Sequence, residues 1–196
     1  MKIKIKGFKI DEKEINKKVL DSKQYRREAH KAAERRLQQE KSQMIEEFKS
    51  HPVTMELKAG EDGQNLSGTL GGYGNLFSFL GFSKGSDPTN EVLEFLQTSI
   101  QIKKEGKTSG LETEFIATAP TIDDFNFASM PWEGGNSWVK SIEKGISNFS
   151  YYMHKAHQAS RAGVGIQIEN KIHSSASKPV RYMTTILNNF RKRLTK

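Results

Sequence analysis

Ile3, Ile5, Phe8 and Ile10 are separated by Lys2, Lys4, Lys6 and Lys9, an alternation that predicts a short strand with lysine on its exposed face. From Asp11 to Ser50 there is neither Gly nor Pro, and Lys, Glu, Arg, Gln and Ala dominate. These are good helix formers, so the stretch predicts a long helix, broken near Asp21 and Ser22. Ala29, Ala33, Leu37, Met44 and Phe48 fall on a narrow stripe at three- and four-residue steps, interrupted by Glu40 and Lys41. A stripe this thin buries only one face, leaving the N-terminal half to project or to lie against a neighbouring subunit. His51-Pro52 ends the pattern, because the residue before proline is pushed out of the helical region. Val53, Met55 and Leu57 then alternate with Thr54, Glu56 and Lys58, which reads as a strand.

Residues 60–87 are rich in glycine and yet carry Leu76, Phe77, Phe79, Leu80 and Phe82. Rings of that size need burial, against the body of the protein or against a partner. Asp87-Pro88 predicts the start of a helix, with Asp87 as N-cap and Val92, Leu93, Phe95 and Leu96 on its buried face. A hairpin is expected next, with Ile100 and Ile102 on its first arm, a turn between Gly106 and Gly110, and Leu111 to Ala119 as its second arm, ended by Pro120. Residues 121–136 read as a loop, and Ser137 as the cap of a short helix carrying Trp138, Ile142 and Ile146. Residues 160–177 read as a further weak strand. Met183, Ile186, Leu187, Phe190 and Leu194 stand at helical spacing in a closing helix whose basic end, Arg191, Lys192, Arg193 and Lys196, suits a C-terminus. The fold class is therefore α+β, with a long N-terminal helix, an antiparallel sheet with a hairpin, short helices and a C-terminal helix. The expected division is an arm over residues 1–50 and a body over 51–196.

Charge changes this picture more than overall composition does. The 196 residues carry a net +8, but residues 1–50 hold +6 and 151–196 hold +8 around a middle of −4 (51–100) and −2 (101–150). A basic–acidic–basic layout suits contact with nucleic acid, and equally suits opposite-sign contact between copies of one protein. There are no cysteines, which excludes disulfides, a Cys nucleophile and thiolate metal sites. Residues 1–10 lack the continuous apolar core and cleavage site of a signal peptide, and no window approaches the apolar length of a membrane span. The expectation is a chain that is made and stays soluble in a cytoplasm, with no membrane partner.

Candidate chemistry is sparse. Gly71-Gly72-Tyr73-Gly74 lacks the spacing of either phosphate-binding glycine motif. His154 and His157 have no third ligand nearby in the sequence, and Ser160 has no assigned base. Asp123, Asp124 and Glu133 make a weak set for a divalent metal and a metal-dependent hydrolase, set against the ordinary use of Asp in turns. No catalytic set emerges, no cofactor is expected, and the chain reads as a non-enzyme. For nucleic acid the candidates are Arg181, Arg191, Lys192 and Arg193 of the closing helix, which suit phosphates or acidic protein partners.

Three stretches carry a resemblance: His51-Pro52-Val53-Thr54, the run from Leu66 to Phe82 (Leu-Ser-Gly-Thr-Leu-Gly-Gly-Tyr-Gly-Asn-Leu-Phe-Ser-Phe-Leu-Gly-Phe), and Met130-Pro131-Trp132-Glu133-Gly134-Gly135-Asn136-Ser137-Trp138. Together they resemble small neck or tail-completion proteins of contractile-tailed bacteriophages, over about residues 51–190. The resemblance implies a virion protein forming a ring, a hexamer, between the portal or head–tail adaptor and the tail tube or tail terminator. It carries no active site, and it implies at most non-specific contact with passing DNA. On this reading Leu70, Tyr73, Leu76, Phe77, Phe79, Phe82, Trp132 and Trp138 form the assembly interface, with segment 60–87 as its centre. The alternative is a nucleic-acid-binding accessory protein that uses the basic closing helix.

Overall fold

The computed structural model describes residues 19, 22–70, 75–109, 112–131, 133–145 and 180–195. The expected strand at residues 1–10, the strand at 160–177 and Ile146 lie outside them. Within them the fold is α+β: helices, a long one first and an amphipathic one last, with two small two-stranded antiparallel sheets. Contacts divide the chain into a unit of Met1–Gln39 with Gln101–Thr118 and a unit of Glu40–Ile100 with Ala119–Lys196. That division falls inside the long helix and groups the hairpin with the arm.

In the first unit, helix α1 (Lys23–Ser50) begins where the Ser22 hydroxyl accepts a hydrogen bond from the Tyr25 N–H at 3.2 Å. Tyr25, Ala29 and Ala33 are half-buried and Leu37 is buried, while the rest of α1 from Lys23 to Gln39 is exposed. The unit also holds strands β1 (Gln101–Ser109) and β2 (Glu112–Thr118), paired antiparallel from Gln101 opposite Thr118 to Ser109 opposite Glu112. The first arm runs through Gly106 to Ser109, so the near part of the expected turn region is strand, and Gly110 lies outside the described residues. Gly106 is accommodated by a register shift between Glu105 and Thr108, the irregularity that a glycine inside a strand commonly marks. His30 of α1 meets Phe115 of β2 edge-on, ring centroids 5.8 Å apart.

In the second unit, α1 contributes Met44 and Phe48, both buried. Val53, Met55 and Leu57 are not a strand. They belong to helix α2 (Pro52–Lys58), whose N-cap is His51 and whose first turn holds Pro52. Proline ends one helix and starts the next, since its fixed φ and missing N–H suit a first turn. Val53, Thr54, Glu56 and Leu57 are buried, whereas Met55 is 47% exposed.

A single 3-10 turn (Gly60–Asp62) and helix α3 (Leu76–Phe79) follow. Asn75 ties them together: its side-chain oxygen accepts from the Ser78 N–H, and its amide nitrogen donates to the carbonyls of Gly60 (3.1 Å) and Gly63 (3.0 Å). Gly63 is required by close approach, as a Cβ there would stand 2.9 Å from the Cβ of Ala59. Helix α4 (Pro88–Thr98) starts as the sequence predicts, with Asp87 accepting from the Thr89 N–H at 2.9 Å and with Val92 and Leu96 buried.

Residues 121–136 are more ordered than the loop the sequence suggests. They form a 3-10 segment (Ile122–Phe127) and strands β3 (Ser129–Met130) and β4 (Glu133–Ser137), paired antiparallel. A capping box starts the 3-10 segment, with Thr121 and Asp124 bonding reciprocally. The two hydrogen bonds from Thr121 hold the Asp124 carboxyl below the usual carboxylate range. Ser137 caps helix α5 (Trp138–Lys144). Helix α6 (Met183–Leu194) buries Met183, Ile186, Leu187 and Phe190. Its own N-cap residue provides no side-chain bond. The Glu143 carboxylate of α5 accepts from the Thr184 N–H at 2.6 Å, a negative group where the helix dipole favours one. Among the described residues no helix is long and apolar enough to cross a membrane.

Candidate functional site

The three stretches that carry the resemblance all lie in the second unit, where the second and third touch and residue Glu56, just past the first, is bonded to the second. Trp138 is 1% exposed and receives the ring of Phe82 edge-on at 6.4 Å, while Phe82 packs on Phe77 at 5.6 Å. Glu56, fully buried, accepts from the Ser67 N–H at 2.8 Å through one oxygen and from the Leu76 N–H at 2.6 Å through the other. One carboxylate therefore holds both ends of the segment between them, satisfying backbone donors that would otherwise be buried without partners. Thr54 and Tyr182 share a buried hydroxyl–hydroxyl hydrogen bond. Burial pushes the Tyr182 phenol far above its ordinary pKa. Phe48 stacks on Tyr182 at 6.1 Å and His51 lies against it at 4.6 Å.

This geometry revises the expected assembly interface. Leu70, Leu76, Phe77 and Trp138 are buried in the chain's own core, and Phe79 and Phe82 are half-buried. Tyr73 and Trp132 lie outside the described residues. The rings of segment 60–87 that the structure describes satisfy their need for burial mainly within the chain. Removing residues 71–82 would thus take out Leu76, Phe77 and Leu80, three buried core side chains, rather than a detachable contact loop.

The basic residues of α6 divide in the same way. Arg193 forks between Glu40 (Nε to Oε2, 2.8 Å) and Glu47, and Arg191 donates to the Pro120 carbonyl at 2.7 Å. Both are half-buried, whereas Arg181 and Lys192 are exposed. Two of the four proposed phosphate contacts are therefore committed to the chain's own structure. Glu40, the residue that interrupts the apolar stripe of α1, is the partner of one of them. Of the weak metal set, Asp123 pairs at the surface with Lys140 at 2.7 Å and Asp124 serves the capping box, so both carboxylates have partners within the chain, and the side chain of Glu133 lies outside the described ones. No group of three or more metal-ligating side chains occurs among the described residues. Gly71 to Gly74, His154, His157 and Ser160 lie outside them.

The sequence reading missed an aromatic cluster at the surface. Phe95, Phe125 and Phe127 meet one another, with Phe127 40% exposed. The available signal was the pair Phe125 and Phe127 beside Asp123 and Asp124, passed over as loop. No family model, curated protein or solved structure matches the chain.

Proposed function

We propose that this protein is a structural component of the neck of a contractile-tailed bacteriophage, assembling as a hexameric ring between the portal or adaptor of the head and the tail tube or terminator. The observation that carries the reading is that its resembling stretches are buried in one unit. Residues 51–54, 66–82 and 130–138 are far apart in sequence, yet Thr54, Leu70, Leu76, Phe77, Met130 and Trp138 are all buried in the second unit. A resemblance concentrated in one core bears on a folded unit rather than on scattered composition.

The charge layout adds support. The exposed part of α1 is strongly basic, while the middle of the chain is acidic, an arrangement suited to head-to-tail contacts between copies. The test is assembly in cells infected with a phage lacking this chain. Full heads and tails should accumulate unjoined, and gold-labelled protein supplied in trans should restore joining and appear at the neck by electron microscopy. Normal virions formed without the chain would overturn the reading.

A further inference from the structure

Phe95 of α4 meets Phe125 near-perpendicularly at 5.2 Å and Phe127 at 4.9 Å. Phe125 is fully buried and forms the floor of the cluster, Phe95 is half-buried, and Phe127 is exposed. Residues three and four apart share a helix face, so Glu91 and Thr98 flank Phe95 along α4, with Glu94 beside it on the adjoining face, three residues from Glu91. All three are exposed. Among the described residues neither Glu91 nor Glu94 takes part in an ion pair. Asp124 is not counted with them, since its carboxylate is held by Thr121 in the capping box and has Lys140 near it. The patch is thus aromatic with a negative edge along α4, where Glu91 and Glu94 are exposed, and such an edge repels nucleic acid.

What fits it is a cationic helix, because guanidinium groups stack on ring faces and pair with carboxylates. The chain contains one. Between Lys23 and Arg36, α1 has six basic residues against two acidic, and all six are exposed. Lys23, Arg27, Lys31 and Arg35 recur at four-residue steps, a single stripe with a group every ~6 Å. Glu91 and Phe95 have the same four-residue spacing on the patch. Lys31 is paired with Glu28 at 2.9 Å, an exposed pair that exchanges partners at little cost.

We propose that the basic stripe of α1 in one copy docks on the Phe95–Phe127 patch of a second copy. The inference rests on the ring reading above, because a heterologous contact repeated from copy to copy closes a ring when its rotation closes and runs on as a filament when it does not. Its test uses the full chain and two charge-reversed variants confined to exposed positions, Glu91→Lys with Glu94→Lys and Arg27→Glu with Lys31→Glu, each checked for folding by circular dichroism. In sedimentation at low salt the unaltered protein should self-associate, and each variant alone should do so about tenfold more weakly or worse. An equimolar mixture of the two should recover association, because each reversed face then meets an opposite charge. Phe127→Ala should weaken association without changing its salt dependence. A monomeric unaltered protein, variants that associate like it, or a mixture that recovers nothing would each overturn the docking. If association behaves as expected while phage assemble normally without the chain, the neck reading fails and the docking stands. If the chain is needed at the neck but reversed variants still join heads to tails, the docking fails alone.

Discussion

His51 shows how much one residue does at the junction of two helices. Its Nδ1 accepts from the Val53 N–H at 3.3 Å, so the cap of α2 requires the neutral ring, and burial lowers its pKa below 6.5. A base whose folded pKa is depressed binds fewer protons folded than unfolded in the interval between the two values, so stability rises with pH there. The contribution is complete above about pH 6.5 and is lost as the pH falls from there toward the lowered value. Loss of an N-cap bond costs about 1 kcal/mol. Urea denaturation across this range should show the decline in the unaltered protein. His51→Asn, which keeps a neutral capping oxygen, should remove the step, and an unchanged step would show that another group causes it.

Among elements, α1 and α6 are joined by polar as well as apolar contacts. The Arg193 side chain retains 19% exposure and that of Glu40 17%, so cutting Arg193 back strands two largely desolvated carboxylates. Arg193→Ala should therefore cost about 2 kcal/mol in chemical denaturation, and Arg193→Lys should recover little, because an ammonium cannot reproduce the fork that spans Glu40 and Glu47. A loss no larger than that of an exposed lysine would contradict this role. The sequence displayed α1, α4, α5 and α6 openly, through helical spacing and through Ser or Asp caps. It concealed α2 because Val53 and Leu57 share a face at either a two-residue or a 3.6-residue period. Only the neighbours separate the two cases, and the buried pair Thr54 and Glu56 with exposed Met55 follows the helical one. Strand β4 was hidden for another reason: Glu-Gly-Gly-Asn-Ser has no alternation, and pairing with β3 alone makes it a strand. Leu70, Leu76, Phe77 and Trp138 read as interface and lie in the core, because composition shows that large apolar side chains need burial without showing whose atoms bury them.

Across the whole molecule, the hairpin β1–β2 interrupts the chain of the second unit, which leaves at Ile100 and resumes at Ala119. Gln101 and Thr118 are paired partners, so the exit and re-entry points lie about 5 Å apart. Replacing residues 102–117 with two glycines should therefore leave a second unit that still unfolds cooperatively on heating, as read by circular dichroism and calorimetry. A molten product without a thermal transition would show that the hairpin is needed to fold it. The entry and exit are set by the Gln101–Thr118 pair, so a tag or a foreign peptide inserted after Ser109 should leave the thermal transition of the second unit unchanged, which makes the hairpin a socket for grafting without redesign of the core.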